Sequence, residues 1–207
     1  LTGEGGDELF AGYERYRWTL WNLRANCLYG QLPGLLRRRI RNWIQSSRLL
    51  KADLRRKLGH TFLGREARLE SLYLDNFYGA FSQRELEAAL GTPGGGAYEN
   101  FLRYWNRRDG TALARMLYTD QKTYLVELLM KQDQMSMATS IESRVPLLDH
   151  HLLALSWRLP ERLKIRGAEQ KYALKRAAEG LLPERIIYRK KMGFPTPLRA
   201  WLRAPEA

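Results

Sequence analysis

The chain has 207 residues, 44% apolar and 28% charged, enough for one folded domain with a core of its own. Its single cysteine, Cys27, excludes an internal disulfide framework and agrees with a reducing, cytoplasmic setting; no stretch nears the roughly 20 apolar residues that span a bilayer, and no charged start with an apolar segment marks a secretory signal, so no membrane partner is expected. The charge of +13, from 35 Lys and Arg against 22 Asp and Glu, attracts phosphates of any kind and keeps a polyanion partner in view.

The chain opens on Leu1-Thr2-Gly3-Glu4-Gly5-Gly6-Asp7-Glu8-Leu9-Phe10-Ala11-Gly12-Tyr13. Glycines around a carboxylate suit a tight turn with close backbone approach to a ligand. No lysine follows them, unlike a phosphate-cradling P-loop. Two readings stand at this point: a carboxylate loop asking for a cation or an amine, or a plain turn whose Asp7 and Glu8 complement the helix dipole behind it.

Leu9 to about Asn26 reads as an aromatic-rich helix with Phe10, Tyr13, Tyr16, Trp18 and Trp21, and aromatics at mixed three- and four-residue offsets are usually core. Gln31-Leu32-Pro33-Gly34 breaks it. Leu35 to about Leu50 is a basic amphipathic helix with Leu36, Ile40, Trp43 and Ile44 on its packing side. Weaker helical patterns over 51–81 end in Tyr73, Phe77, Tyr78 and Phe81. Ser82-Gln83-Arg84-Glu85 is a capping box for a short helix stopped by Gly91 and Pro93, and Thr92-Pro93-Gly94-Gly95-Gly96 is a surface loop.

From Thr111 a longer helical stretch carries Leu113, Met116, Leu117, Leu125, Leu128 and Leu129 at helical offsets and delivers Lys131 and Asp133 at its far end. Val145-Pro146-Leu147-Leu148-Asp149 interrupts, because the residue before a proline avoids helix. His150 to Trp157 resumes it and Pro160 closes it. Glu169 to Glu179 is a further helix, with Glu169 in its first turn, Gly180 at its end and Pro183 beyond. With few alternating β-branched runs, the chain is predicted to be mainly α-helical.

The excess arginines, in Arg37-Arg38-Arg39, Arg41, Arg55-Arg56-Lys57 and Arg107-Arg108, are scattered among apolar helical runs. No zinc-finger spacing, aromatic RNA-binding signature or basic region with heptads accompanies them. Solvated helix faces are the first reading, a polyanion site the second, and nucleic acid is an unlikely partner.

The run from Thr2 to Tyr13 closely resembles the S-G-E-G-x-D-E-x-F-G-G-Y signature of the glutamine-hydrolysing asparagine synthetases. Lys131-Gln132-Asp133-Gln134-Met135-Ser136-Met137 and Ile141-Glu142-Ser143-Arg144-Val145-Pro146-Leu147-Leu148-Asp149 resemble that family's K-x-D-x-x-S-M and L-E-x-R-V-P-x-L-D elements. Lys164-Ile165-Arg166-Gly167 with Lys171, and Arg189-Lys190-Lys191-Met192-Gly193-Phe194, follow in the family's order. Thr2 for the usual serine and Ala11 for the usual glycine are departures that leave room for a paralogue with another substrate.

The resemblance implies the helical C-terminal portion of an α/β ATP-pyrophosphatase (adenine nucleotide alpha hydrolase-like) synthetase domain. Most of its parallel sheet, the S-G-G-x-D-S pyrophosphate loop and an N-terminal cysteine glutaminase are expected upstream, so the chain is read as a fragment, inactive alone. It also implies the chemistry. Aspartate's side-chain carboxylate attacks ATP to give an acyl-adenylate and pyrophosphate, and ammonia from glutamine displaces AMP, with magnesium as cofactor. The resemblance allows a homodimer of the full-length parent.

Residue by residue, Thr2 and Gly3 stand where the family contacts ATP, and Glu4 matches the carboxylate needed for the acyl-adenylate. The related β-lactam synthetases carry tyrosine at the Glu4 position. Asp7 matches an aspartate that ligates magnesium in those relatives, and a helix N-cap is its other reading, compatible with the first. Glu142 stands where they carry a catalytic glutamate; a carboxylate in an apolar stretch tends to be partnered or shifted in pKa, and an ion pair with Arg144 is the alternative. Lys171, read in the first turn of a helix, is assigned to the pyrophosphate and the transition-state charge. Lys190 and Lys191 extend that anion site or form a basic surface turn; Glu127 is a weaker acidic candidate, and Asp133 is either a site residue or a helix-end partner.

Overall fold

The single helix expected from Leu9 onward is two helices. In the computed structural model, which describes residues 1–47, 49–66, 68–77, 81, 83–91, 98–190 and 201–202, α1 covers Gly6–Phe10 and α2 covers Glu14–Tyr29. Between them Ala11 takes φ 59°, a left-handed conformation that costs an L-residue about 1–2 kcal/mol and ends a helix. The N–H of Gly12 then bonds back to Asp7 O at 2.9 Å. The kink buries Tyr16, Thr19 and Asn22 on α2, whereas Trp18 and Trp21 stack on each other at the surface, ring centroids 5.3 Å apart. Only part of the aromatic run is core.

Basic α3 (Gly34–Ser46) and α4 (Ala52–Gly59) follow. Of the expected packing side of α3 only Ile44 is buried, while Leu36 and Trp43 stay exposed. A π-helical turn, Glu70–Leu74, runs into α5 (Asp75–Phe77) and drives Leu72, Tyr73 and Leu74 into the interior. Next comes α6 (Gln83–Leu90), stopped as expected at Gly91, φ 66°. Ser82, expected to cap it, and the loop over 92–96 lie outside the described residues.

α7 (Glu99–Arg107) leads to α8 (Ala112–Lys122), whose first turn is capped by Thr111 Oγ1 accepting from Ala114 N at 3.2 Å. The predicted long helix breaks at Thr123, and α9 (Tyr124–Met137) continues from there. α8 is the centre of the packing, touching α1, α2, α7 and α9. Its Leu113, Met116 and Leu117 are buried, each contributing about 1.5–3 kcal/mol relative to exposure.

The proline interruption is a 3-10 turn, Pro146–Leu148, after which Asp149 caps α10 (His150–Arg158), its Oδ1 accepting from His151 N and Leu152 N. α11 (Glu161–Lys164) passes into an antiparallel hairpin, β1 (Ile165–Arg166) and β2 (Glu169–Gln170), with Arg166 opposite Glu169. Here the sequence reading is corrected. Gly167, at φ 61°, closes the turn and draws Glu169 into the ladder, so α12 begins only at Tyr172 and ends at Ala178.

Contacts divide the chain into Leu1–Tyr172 and Ala173–Ala207. In the second unit Gly180 (φ 78°) ends α12 and Pro183 opens α13 (Glu184–Ile187), with Arg176 and the Tyr188 hydroxyl both held by Glu179. The mainly helical expectation holds: among the described residues the only sheet is the two-stranded hairpin. No described helix is long and apolar enough to cross a membrane.

Candidate active site

The glycine loop is clamped by segments from far along the chain. Thr2 N–H donates to Arg144 O at 2.9 Å, and Gln132 Nε2 donates to Thr2 Oγ1 at 2.8 Å and also reaches Ser143 Oγ. One glutamine of the second motif thus ties the first residue of the loop to the stretch carrying Glu142. A Cβ on Gly5 (φ 87°) would lie 2.2 Å from Leu148 Cδ2, and one on Gly6 2.9 Å from Leu147 Cδ1. Glycine is therefore required at Gly5, where a positive φ and the Leu148 side chain of the Pro146–Leu148 turn both exclude a side chain.

An ion pair from the hairpin also closes on the loop. Lys171 Nζ sits 2.9 Å from Asp7 Oδ1, the side chains 27% and 21% exposed. Half-buried charges of opposite sign interact more strongly than a solvated pair. Gly12 lies beneath both: a Cβ there would fall 1.9 Å from Asp7 Oδ1 and 2.1 Å from Lys171 Cε. Lys171 itself has φ 54°, a conformation rare for a non-glycine residue and retained only where surroundings enforce it. It immediately precedes α12 instead of lying in its first turn. The loop and the hairpin position it.

Glu4 is half-buried within the loop and Gly3 is exposed. Gly3 differs from its neighbours, because a Cβ there would meet nothing within 4 Å. Glu142 does not lie in apolar surroundings. Its side chain is 70% exposed and paired with Arg144 at 2.7 Å, and Ile141 is exposed too. The alternative ion pair is the one found. Glu127 bonds Lys131 one turn on along the exposed face of α9, and Asp133 is exposed. Lys190 is exposed in the second unit, and Lys191 lies outside the described residues.

Behind the loop lie two buried carboxylates, Glu8, read in the sequence only as a complement to the helix dipole, and Asp120, which sequence reading did not single out. Glu8 is buried and accepts from the Tyr13 hydroxyl at 2.6 Å; burial pushes its carboxyl above the ordinary range and the Tyr13 bond partly offsets this. Its backbone oxygen accepts from Gln121 Nε2, whose Oε1 accepts from Trp157 Nε1. Asp120, also fully buried, takes Arg15 at 2.8 Å and the hydroxyls of Tyr16 and Tyr73 at 2.5 and 2.7 Å. The Arg15 guanidinium lies over the rings of Tyr13 and Tyr124, 4.2 and 4.5 Å from their centroids. A helix turns about 100° per residue, so adjacent Asp7 and Glu8 lie on different faces: one toward the loop, one in the core.

As a metal donor set the loop offers hard-oxygen ligands in the carboxylates of Asp7 and Glu4. No group of three or more His, Cys, Asp or Glu side chains converges among the described residues. That suits magnesium, which is commonly bound by one or two carboxylates with substrate phosphates completing the shell, better than a metal needing an all-protein cage.

Fold and site together define a mainly helical unit organised around a carboxylate and glycine loop closed by a distant lysine. The Asparagine synthase family pattern matches residues 1–207, and the chain belongs to that family. A Mycobacterium tuberculosis protein whose name places it among the glutamine-hydrolysing asparagine synthetases is 39% identical over 219 residues, covering 100% of this chain and 31% of its own length. The glutamine-hydrolysing asparagine synthetase 1 of Bacillus subtilis is 30% identical over 217 residues, covering 98% and 31%. Amidase chyE of Penicillium rubens is 26% identical over 227 residues, covering 99% and 33%. The chain spans about a third of the length of these curated relatives. No solved structure matches it.

Proposed function

We propose that the chain is the helical C-terminal part of a glutamine-dependent asparagine synthetase, within a synthetase domain of α/β ATP-pyrophosphatase fold. The rest of that domain supplies the parallel sheet and pyrophosphate loop, and a glutaminase supplies ammonia. The reaction is amide formation on the side-chain carboxylate of aspartate through an acyl-adenylate, with release of pyrophosphate and AMP. The observation that carries this reading is the contact of Lys171 with Asp7 across the signature loop. It sets a cation able to stabilise the charge of a departing pyrophosphate beside a carboxylate able to hold magnesium.

Thr2 and Gly3 contact the nucleotide. Gly3 has no packing neighbour that forbids a side chain, so close approach of a ligand accounts for glycine there. Glu4 faces the carboxylate being adenylated. Lys171 places its ammonium against phosphate oxygens as negative charge develops on them. Magnesium, held through Asp7 together with substrate phosphates, supplies neutralisation of the phosphate charge. Glu142, open to solvent and oriented by Arg144, takes a proton from the incoming amine at a carboxylate oxygen. Exposed Val126, Met130, Met137 and Ile141 leave apolar surface on and after α9, consistent with cover by the remainder of a larger domain.

The test is pyrophosphate release by the full-length protein, dependent on aspartate and glutamine and lost on Lys171→Ala or Glu4→Ala. Unchanged turnover in both variants would sink these roles. A second reading keeps the adenylation and changes the acceptor. The similarity to Amidase chyE along 99% of the chain and the departures at Thr2 and Ala11 favour it, and pyrophosphate release that ignores aspartate but responds to another carboxylic acid would establish it.

A further inference from the structure

Away from the glycine loop, a cavity of about 750 Å³ opens between the end of α2, the polar face of α3 and the turn that carries Arg65. Arg37, Arg38, Arg41, Arg65 and Arg68 line it, with Glu66 as the sole carboxylate of the lining. Glu66 is engaged by Arg68 at 3.7 Å, and Arg65 reaches Asp75 at 3.5 Å on its far side. Arg41 is anchored by donating to Arg65 O at 3.2 Å.

The Nε atoms of Arg37, Arg41 and Arg65 are buried and have no hydrogen-bond partner among the described residues. Buried polar groups are normally bonded, because an orphaned donor loses water and gains nothing. A guanidinium also cannot shed its proton to escape the problem. Several such groups converging on one cavity repel one another unless an anion joins them. An oxyanion in the cavity offsets that charge and accepts from the guanidinium N–H groups that face it, in the fork geometry they present.

We propose that this cavity binds a compact polyanion bearing phosphate or carboxylate oxygens, held by Arg37, Arg41 and Arg65. Its volume lies within the ~300–1,000 Å³ of small-molecule sites, which favours a compact ligand over duplex nucleic acid. The arginine cluster, first read as a solvated helix face, thereby acquires a ligand chemistry. The proposal stands independently of the adenylation reading, since it uses none of the loop residues.

The experiment is titration calorimetry on the full-length protein with tripolyphosphate and, in parallel, citrate, at an ionic strength fixed with sodium chloride. Saturable binding of one or both is expected, and which one binds identifies the oxyanion class. Arg37→Gln/Arg41→Gln should weaken it at least about tenfold, since two charge-assisted bonds are lost. Arg37→Lys/Arg41→Lys, which keeps the charge and spares the fold, should weaken it too, through loss of the fork. Tripolyphosphate also fits the pyrophosphate site proposed for Lys171, so the heat assigned to the cavity is the part that the arginine substitutions remove, and that part should persist in Lys171→Ala. The proposal is overturned by absence of saturable heat from wild type with both anions, by undiminished binding in the lysine pair, by loss of the arginine-dependent heat in Lys171→Ala, or by duplex DNA binding the same arginines more tightly than either anion.

Discussion

Lys171 Nζ meets Asp7 Oδ1 at 2.9 Å, and this contact joins the hairpin that ends the first unit to the loop that begins the chain. Its geometry separates a catalytic role from a structural one. A partly exposed ion pair contributes at most about 1 kcal/mol to stability, whereas removing a preorganised charge from a transition state typically costs about 10²–10³ in rate. Lys171→Ala in the full-length protein should therefore reduce pyrophosphate release by that factor while thermal unfolding moves by only a few degrees. A large fall in melting temperature with turnover nearly intact would make Lys171 a structural residue.

The glycines of the loop supply a paired prediction. Gly12→Ala inserts a methyl where Asp7 Oδ1 and Lys171 Cε already stand, 1.9 and 2.1 Å away, so it must break the pair and should depress activity as strongly as Lys171→Ala. Gly3→Ala meets open space and should leave the melting temperature unchanged. If nucleotide approaches there, it raises KM for ATP. Steady-state kinetics beside thermal unfolding distinguish the cases, and a Gly3→Ala enzyme with wild-type KM for ATP would remove Gly3 from the nucleotide site.

How much of this was legible in the sequence depends on the range over which each feature is decided. Helix ends set by local chemistry came through: the Gly91 stop, the proline interruption at Pro146 and the helix from His150 were all readable. The break at Ala11 was not, since nothing about an alanine announces φ 59° and the conformation is imposed by packing. The helix predicted over Glu169 to Glu179 is present from Tyr172 to Ala178, and only its start was misplaced, because Glu169 pairs with Arg166 across the Gly167 turn, a hairpin that helix propensity does not see. Motif order placed Asp7 and Lys171 in one reading, yet only the fold shows them in contact. Asp120 was invisible for the opposite reason. A lone aspartate in a helical run looks solvated until Arg15, Tyr16 and Tyr73 arrive from other elements.

That buried cluster is also the place where stability is most exposed to mutation. Asp120 is the shared acceptor for Arg15 and two tyrosine hydroxyls, and breaking a buried pair leaves an uncompensated charge, at a cost of about 3–5 kcal/mol. Asp120→Ala should therefore unfold at markedly lower denaturant concentration than wild type. Asp120→Asn keeps an acceptor for the tyrosines and should be less severe. Chemical denaturation of both variants checks this, and a midpoint unchanged in Asp120→Ala would show that the cluster contributes no net stability.

Glu8 makes the pH dependence testable. Burial raises its carboxyl above the ordinary 4.5, neighbouring Asp7 and Asp120 add to the rise, and the Tyr13 bond opposes it. Because the folded state holds this proton more tightly than the unfolded chain, its contribution favours folding below about pH 4.5 and is lost as pH rises through the folded-state value. Glutamine preserves the shape and the acceptor for the Tyr13 hydroxyl but never ionises. Glu8→Gln should thus be close to neutral for stability near pH 4.5 and increasingly stabilising relative to wild type toward pH 8. Melting temperatures of the two proteins, measured in parallel across that interval, decide the matter. A difference that stays constant with pH would mean that Glu8 is not the titrating group, and one that shrinks with pH would mean that its charged form is the one the fold prefers.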